Sequence, residues 1–200
     1  MDSIGKKIDD LRNQYPILRE DVIPLDIFSF FEIDLGLDPI PFDGLTSRYQ
    51  VEAAIKADFT GLYVDAEQYL FMERGPVWKL NRLRFTIAHE LAHYFLHQSF
   101  PQDKDFSSVT GFARWSSDYG GKKYIIEQEA NEFAGRLLVP YRRLNEMFEE
   151  FADEAKKIIP HFLANEQLRY QFSERVAPRF GVNTGVIEVR LDRENLWPVS

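Results

Sequence analysis

Apolar residues recur at helical spacing along most of this chain. Ile4, Ile8 and Leu11 share one face of the stretch Met1 to Asn13, and Pro16 follows soon after, so the pattern predicts an N-terminal helix. Pro24 opens a second helical segment, and the Phe- and Ile-rich run from Ile23 to Leu35 reads as a helix leading into a short strand. The Pro39 to Gly44 cluster marks a loop. Two runs between Thr60 and Gly75, TGLYV and QYLFME, flank Asp65, Ala66 and Glu67; their aromatic and β-branched residues predict a hairpin, hence a small antiparallel sheet.

From Leu80 to His97 the chain is apolar nearly all round, the pattern of a central buried helix. Residues 98 to 121 mix Pro, Gly, Ser and Asp with Phe106, Phe112, Trp115 and Tyr119, as in a long loop rimming a site. Helical periodicity resumes from Lys122 to Leu138 and stops at Pro140. Tyr141 to Leu191 reads as helical, with breaks near Pro160 and Gly181. The fold class expected is α+β: a mostly helical domain over 1–140 with a small antiparallel sheet beside the central helix, and a helical C-terminal region over 141–200 packed on it.

Composition narrows the chemistry. The chain has no cysteine, which removes disulfides, thiolate metal sites and a cysteine nucleophile; any metal must be held by His and carboxylate. A net charge of -8 opposes attraction to phosphate and weighs against direct nucleic-acid binding. The opening MDSIGKKIDDLRNQ lacks a basic start followed by an apolar run, and no membrane-length apolar stretch follows, so a cytoplasmic protein without a membrane span is expected.

The central helix carries His89-Glu90-Leu91-Ala92-His93, an HExxH pattern. Residues four apart sit one turn above each other, so both imidazoles can reach one ion, and Glu90 lies beside them where it can take a proton from water. The pattern alone is short and arises by chance on solvated helix faces. Here its flanks are Phe85, Ile87, Ala88, Leu91, Tyr94 and Phe95, and two imidazoles in apolar surroundings call for a shared partner.

A catalytic zinc needs a third protein ligand and an open position. His97 continues the spacing but lies about 12 Å along the axis from His89, too far to share an ion with it, and reads as a helix-end histidine. Stepping back by four from Leu138 gives Ala134, Asn131 and Glu127, so two polar residues fall on the inward stripe of the later helix. Glu129 falls with Glu132 and Arg136 on the opposite, solvated face. Glu127 is therefore the expected third ligand, because a buried carboxylate is costly unless paired or metal-bound. Asn131, one turn on, is placed to orient a metal-binding histidine. Tyr124, Tyr119 and His161 are the candidates for stabilising the transition state.

RFTIAHELAHYFLH (Arg84 to His97) and EQEANEFAGRLLVP (Glu127 to Pro140) together resemble the ImmA/IrrE family of metallopeptidases, whose members pair RFT-AHELGH with E-EAN-FA--LLMP. GLYVDAEQYLFMER and FGVNTGVIEVRL resemble that family's layout more loosely, and the first fifty residues match least. Ala92 stands for the family's common Gly and Val139 for its common Met. The resemblance implies a gluzincin-like zincin core, one zinc ion (manganese being the alternative metal) held by His89, His93 and Glu127, and Glu90 as general base. It also implies a helix-turn-helix transcriptional repressor as protein substrate, in stress, mobile-element or phage-defence regulons. Three other readings fit the residues less well. A protein that keeps the metal site but binds a regulator without cutting it has no use for a poised base such as Glu90. A DNA-binding role for FGVNTGVIEVRL is opposed by net acidity and sparse basic residues. A metzincin would need a histidine six residues beyond His93, where the chain has Ser99.

Overall fold

In the computed structural model, which describes residues 2–99 and 121–197, the elements follow in the order α1 (Ser3–Gln14), α2 (Ile27–Ser29, continued as a π-helical turn through Phe30–Asp34), β1 (Asp38–Phe42), α3 (Leu45–Tyr49), β2 (Ala53–Ile55) and β3 (Gly61–Asp65). They continue with α4 (Ala66–Leu70), α5 (Val77–Leu96), α6 (Gly121–Leu138), α7 (Tyr141–Ile158), α8 (Glu166–Phe180) and α9 (Thr184–Arg193). The fold is α+β and mostly helical, as expected. The chain forms two compact units, one of Ile27–Ala134 and one of the residues up to Asp26 with those from Gly135 onward. Among the described residues no helix is long and apolar enough to cross a membrane.

The sheet in the Ile27–Ala134 unit differs from the predicted hairpin. Its order is β1-β3-β2, with β1 parallel to β3 and β2 antiparallel to it, so it is mixed rather than antiparallel. QYLFME is not a strand: Asp65 caps α4 by accepting the Gln68 N–H at 3.1 Å, and a short 3₁₀ turn follows at Met72–Arg74. A well-placed cap here overrides the β propensity of the aromatic residues. The same carboxylate accepts the Thr46 N–H at 2.9 Å, fixing the start of α3 as well.

The Pro39 to Gly44 loop is largely strand β1. Its prolines alternate with Asp38, whose N–H bonds the Thr60 carbonyl at 3.2 Å, so the missing Pro39 and Pro41 donors fall on the side away from β3, where an edge strand tolerates them. Where β1 crosses β3 the backbones come close: a Cβ on Gly61 would sit 2.5 Å from the Asp38 carbonyl oxygen. Ala53 and Ala54 of β2 are fully buried, and β2 packs against α5. Phe95 of α5 lies between Phe30 and Phe133, at ring-centroid distances of 6.3 and 6.0 Å, which seats α5 between α2 and α6.

The second unit is built on aromatic packing. Phe148 and Phe151 of α7, Phe162 and Phe172 surround Trp197, whose indole N–H bonds the Leu163 carbonyl at 2.7 Å. The predicted breaks at Pro160 and Gly181 fall between helices; Gly181 ends α8 with φ 61°. Arg12 of α1 reaches the Arg136 carbonyl at 3.2 Å and pairs with Glu20 at 2.8 Å.

Candidate metal centre

The chemistry gathers in the Ile27–Ala134 unit, between α5 and α6. Helix α5 places His89, Glu90 and His93 on its buried side; Glu90 is 6% exposed and His93 2%. Helix α6 brings Glu127 and Asn131 opposite. Ligand-capable atoms of His89, His93 and Glu127 all lie within 4.8 Å of one another. The His89 and His93 Nε2 atoms are 3.2 Å apart, and Glu127 lies 3.0 Å from the first and 3.9 Å from the second.

Two nitrogens on one tetrahedral zinc with bonds near 2.0–2.1 Å stand about 3.3 Å apart. The His89–His93 spacing matches that figure, and two imidazoles with one carboxylate form a donor set that catalytic zinc takes. The residues present therefore fit such an ion. His89 donates from Nδ1 to the Asn131 side-chain oxygen at 3.0 Å, an arrangement that leaves its Nε2 turned toward Glu127. Burial lowers the His89 pKa, but the hydrogen bond to Glu127, the charges of Glu90 and Glu127 and the bond to Asn131 together outweigh it, and the net shift is upward.

Glu90 does not join the three converging donors. Its Oε2 accepts the Ile55 N–H at 2.7 Å. Ile55 alternates along β2 with Lys56, whose own N–H bonds the Gly61 carbonyl of β3, so the Ile55 N–H points away from the sheet and toward α5. This backbone donor carries no side-chain signature and was not expected; the only available signal was that a short strand beside a central helix must spend its outward N–H groups somewhere.

The other expectations divide. Glu129 is half-exposed, its side chain 44% accessible, and its carboxylate also reaches inward to lie 3.1 Å from His97 Nε2. His97 does end α5, its N–H bonding the His93 carbonyl at 3.0 Å, yet it is 2% exposed and its Nδ1 lies 3.0 Å from that of His93. Tyr124 is 70% exposed. His161 is exposed and belongs to the other unit, and Tyr119 lies outside the described residues.

A histidine pair one turn apart on one helix, facing a carboxylate on a second, is the kind of centre used by metallohydrolases. The model of the IrrE N-terminal-like domain, peptidase family M78, matches residues 79–192, more than half of the chain and a span that includes all of these groups; the chain belongs to this metallopeptidase family. Comparison with curated proteins and with solved structures gave no match.

Proposed function

We propose that the chain is a zinc-dependent endopeptidase with His89, His93 and Glu127 as metal ligands and Glu90 as general base, and that its substrate is a helix-turn-helix transcriptional repressor whose cleavage derepresses the genes it controls. The observation that carries the reading is the convergence of the two Nε2 atoms and the Glu127 carboxylate beside a separate, buried carboxylate. Zinc held there supplies Lewis acidity, lowering the pKa of a bound water and polarising the scissile carbonyl.

The chain's own groups do the rest. Glu90, anchored through one oxygen by Ile55 N–H, takes the proton of the attacking water and delivers it to the departing amine. Asn131 keeps His89 turned toward the ligand position, and Glu127 contributes a charge without competing for the proton work. The repressor as substrate is supported by the family resemblance of the two motifs.

The test uses purified wild-type protein and Glu90→Gln, with bound metal quantified in both and each incubated with the helix-turn-helix regulator encoded nearest its gene. Cleavage by the wild type alone, with metal in both, is the expected result. Stoichiometric metal without cleavage by either would instead favour a regulator-binding protein that acts without proteolysis, and well-folded protein that binds no metal would overturn the ligand assignment.

A further inference from the structure

Behind the converging donors runs a second line of contacts that the proposed reaction does not use. His93 Nε2 faces His89 and Glu127, so its Nδ1 is the nitrogen turned away, 3.0 Å from His97 Nδ1. His97 Nε2 in turn lies 3.1 Å from the Glu129 carboxylate. The imidazoles of His93 and His97 stand 5.0 Å apart between centroids, and both residues are 2% exposed, so neither ring can exchange these partners freely for water.

Proton counting gives this line a direction. A carboxylate only accepts, so the contact with Glu129 calls for a hydrogen on His97 Nε2. A neutral imidazole has one, which leaves His97 Nδ1 bare and able to accept. The facing His93 Nδ1 must then be the donor, and its Nε2 keeps an open lone pair. In the reversed pattern His97 Nδ1–H would donate to His93, whose proton would move to Nε2 and block the ligand position, while Glu129 would face a bare nitrogen.

On the reading of the site given above, we propose that His97 and Glu129 are positioning residues that lock His93 in the tautomer able to bind the metal. The affinity of the centre then depends on two side chains that never touch the ion. His89 has a one-step version of the same device in Asn131, whereas His93 has a two-step version ending on a charged group at the surface.

Zinc competition against a chromophoric chelator, run on the full chain and its variants, tests this. His97→Leu should weaken zinc binding about ten- to a hundredfold, the range for removal of an outer partner of a ligand histidine. His97→Asn, whose side-chain oxygen stands near the lost Nδ1, should recover most of that loss. Glu129→Ala, at a half-exposed position where truncation spares the fold, should weaken binding less than His97→Leu but measurably. In metal-free protein, long-range ¹⁵N–¹H spectra of the imidazoles should show His93 protonated at Nδ1 in the wild type and a tautomer mixture in Glu129→Ala. Wild-type affinity in both Glu129→Ala and His97→Leu, or a His93 proton resident on Nε2, overturns the inference while leaving the ligand set standing. Failure of the ligand set looks different: the wild type itself takes up no zinc, and the inference falls with it.

Discussion

The Ile27–Ala134 unit buries Glu90, His93 and His97 beside its apolar core, whereas the unit that includes the C-terminal helices gathers Phe148, Phe151, Phe162 and Phe172 around Trp197. Buried charge in the second unit is tied off locally: Arg190 bonds Glu194, and Arg169 bonds Asp192 at 2.7 Å and the Glu188 carbonyl at 3.1 Å. In the first unit His93 and His97 of α5 face Glu127 and Glu129 of α6, while Glu90 faces the Ile55 N–H of β2. Desolvating polar groups costs stability unless each is partnered. On the proposed function the polar interior serves chemistry and the aromatic one cohesion, so isosteric and truncating substitutions should affect them in opposite ways.

The largest separation is expected from Glu90→Gln, which conserves shape: the proposed cleavage rate should fall about 10²–10⁴-fold, the usual share of a general base, with bound metal and thermal midpoint nearly unchanged. Trp197→Ala should do the reverse, costing about 3–5 kcal/mol in urea unfolding while the folded fraction still binds metal stoichiometrically. A Trp197→Ala protein that stays folded but loses its metal would break the distinction. Removing metal with a chelator should lower the thermal midpoint of the wild type, the lost stability being about 2.7 kcal/mol relative to protein held at metal a hundred times its Kd. In Glu127→Ala that difference between loaded and chelated samples should vanish. Asn131→Ala should weaken metal binding about ten- to a hundredfold without abolishing it.

The smallest effect is a pH dependence. In metal-free protein the raised His89 pKa means that protonation of this ring stabilises the fold; the contribution is complete below the ordinary value of 6.5 and is lost as pH rises through the higher folded-state value. Metal needs the unprotonated ring, so acid should begin to compete for the site above pH 6.5. Metal affinity measured from pH 8 downward checks this, and an onset of loss only below 6.5 would contradict it.

Much of this architecture is legible in the residue pattern, because long apolar periodicity leaves little freedom. Leu80 to His97 and Lys122 to Leu138 anticipate α5 at Val77–Leu96 and α6 at Gly121–Leu138, and the convergence of His89, His93 and Glu127 follows from stacking residues four apart. What escapes is decided by single contacts. The β propensity of QYLFME yields to the Asp65 cap, and Pro39 and Pro41 hide a strand because only the side on which their missing donors fall makes them tolerable. A helical wheel treats side chains as radial spokes and so places Glu129 in solvent alone. Its three-carbon reach carries the carboxylate round the flank to His97. His97, about 12 Å along the axis from His89 and so too far to share its ion, is still a one-turn neighbour of His93.

The bond from Ile55 N–H to Glu90 has a bearing on reagents made from this protein. A glutamine at position 90 would have to turn its amide oxygen toward Ile55 to keep that donor satisfied, and its NH₂ would then point where the other carboxylate oxygen stood. An inactive variant prepared to capture a bound substrate would thus offer a donor in place of an acceptor, favouring ligands with a carbonyl at that point; Glu90→Ala, which offers neither, is the fairer bait.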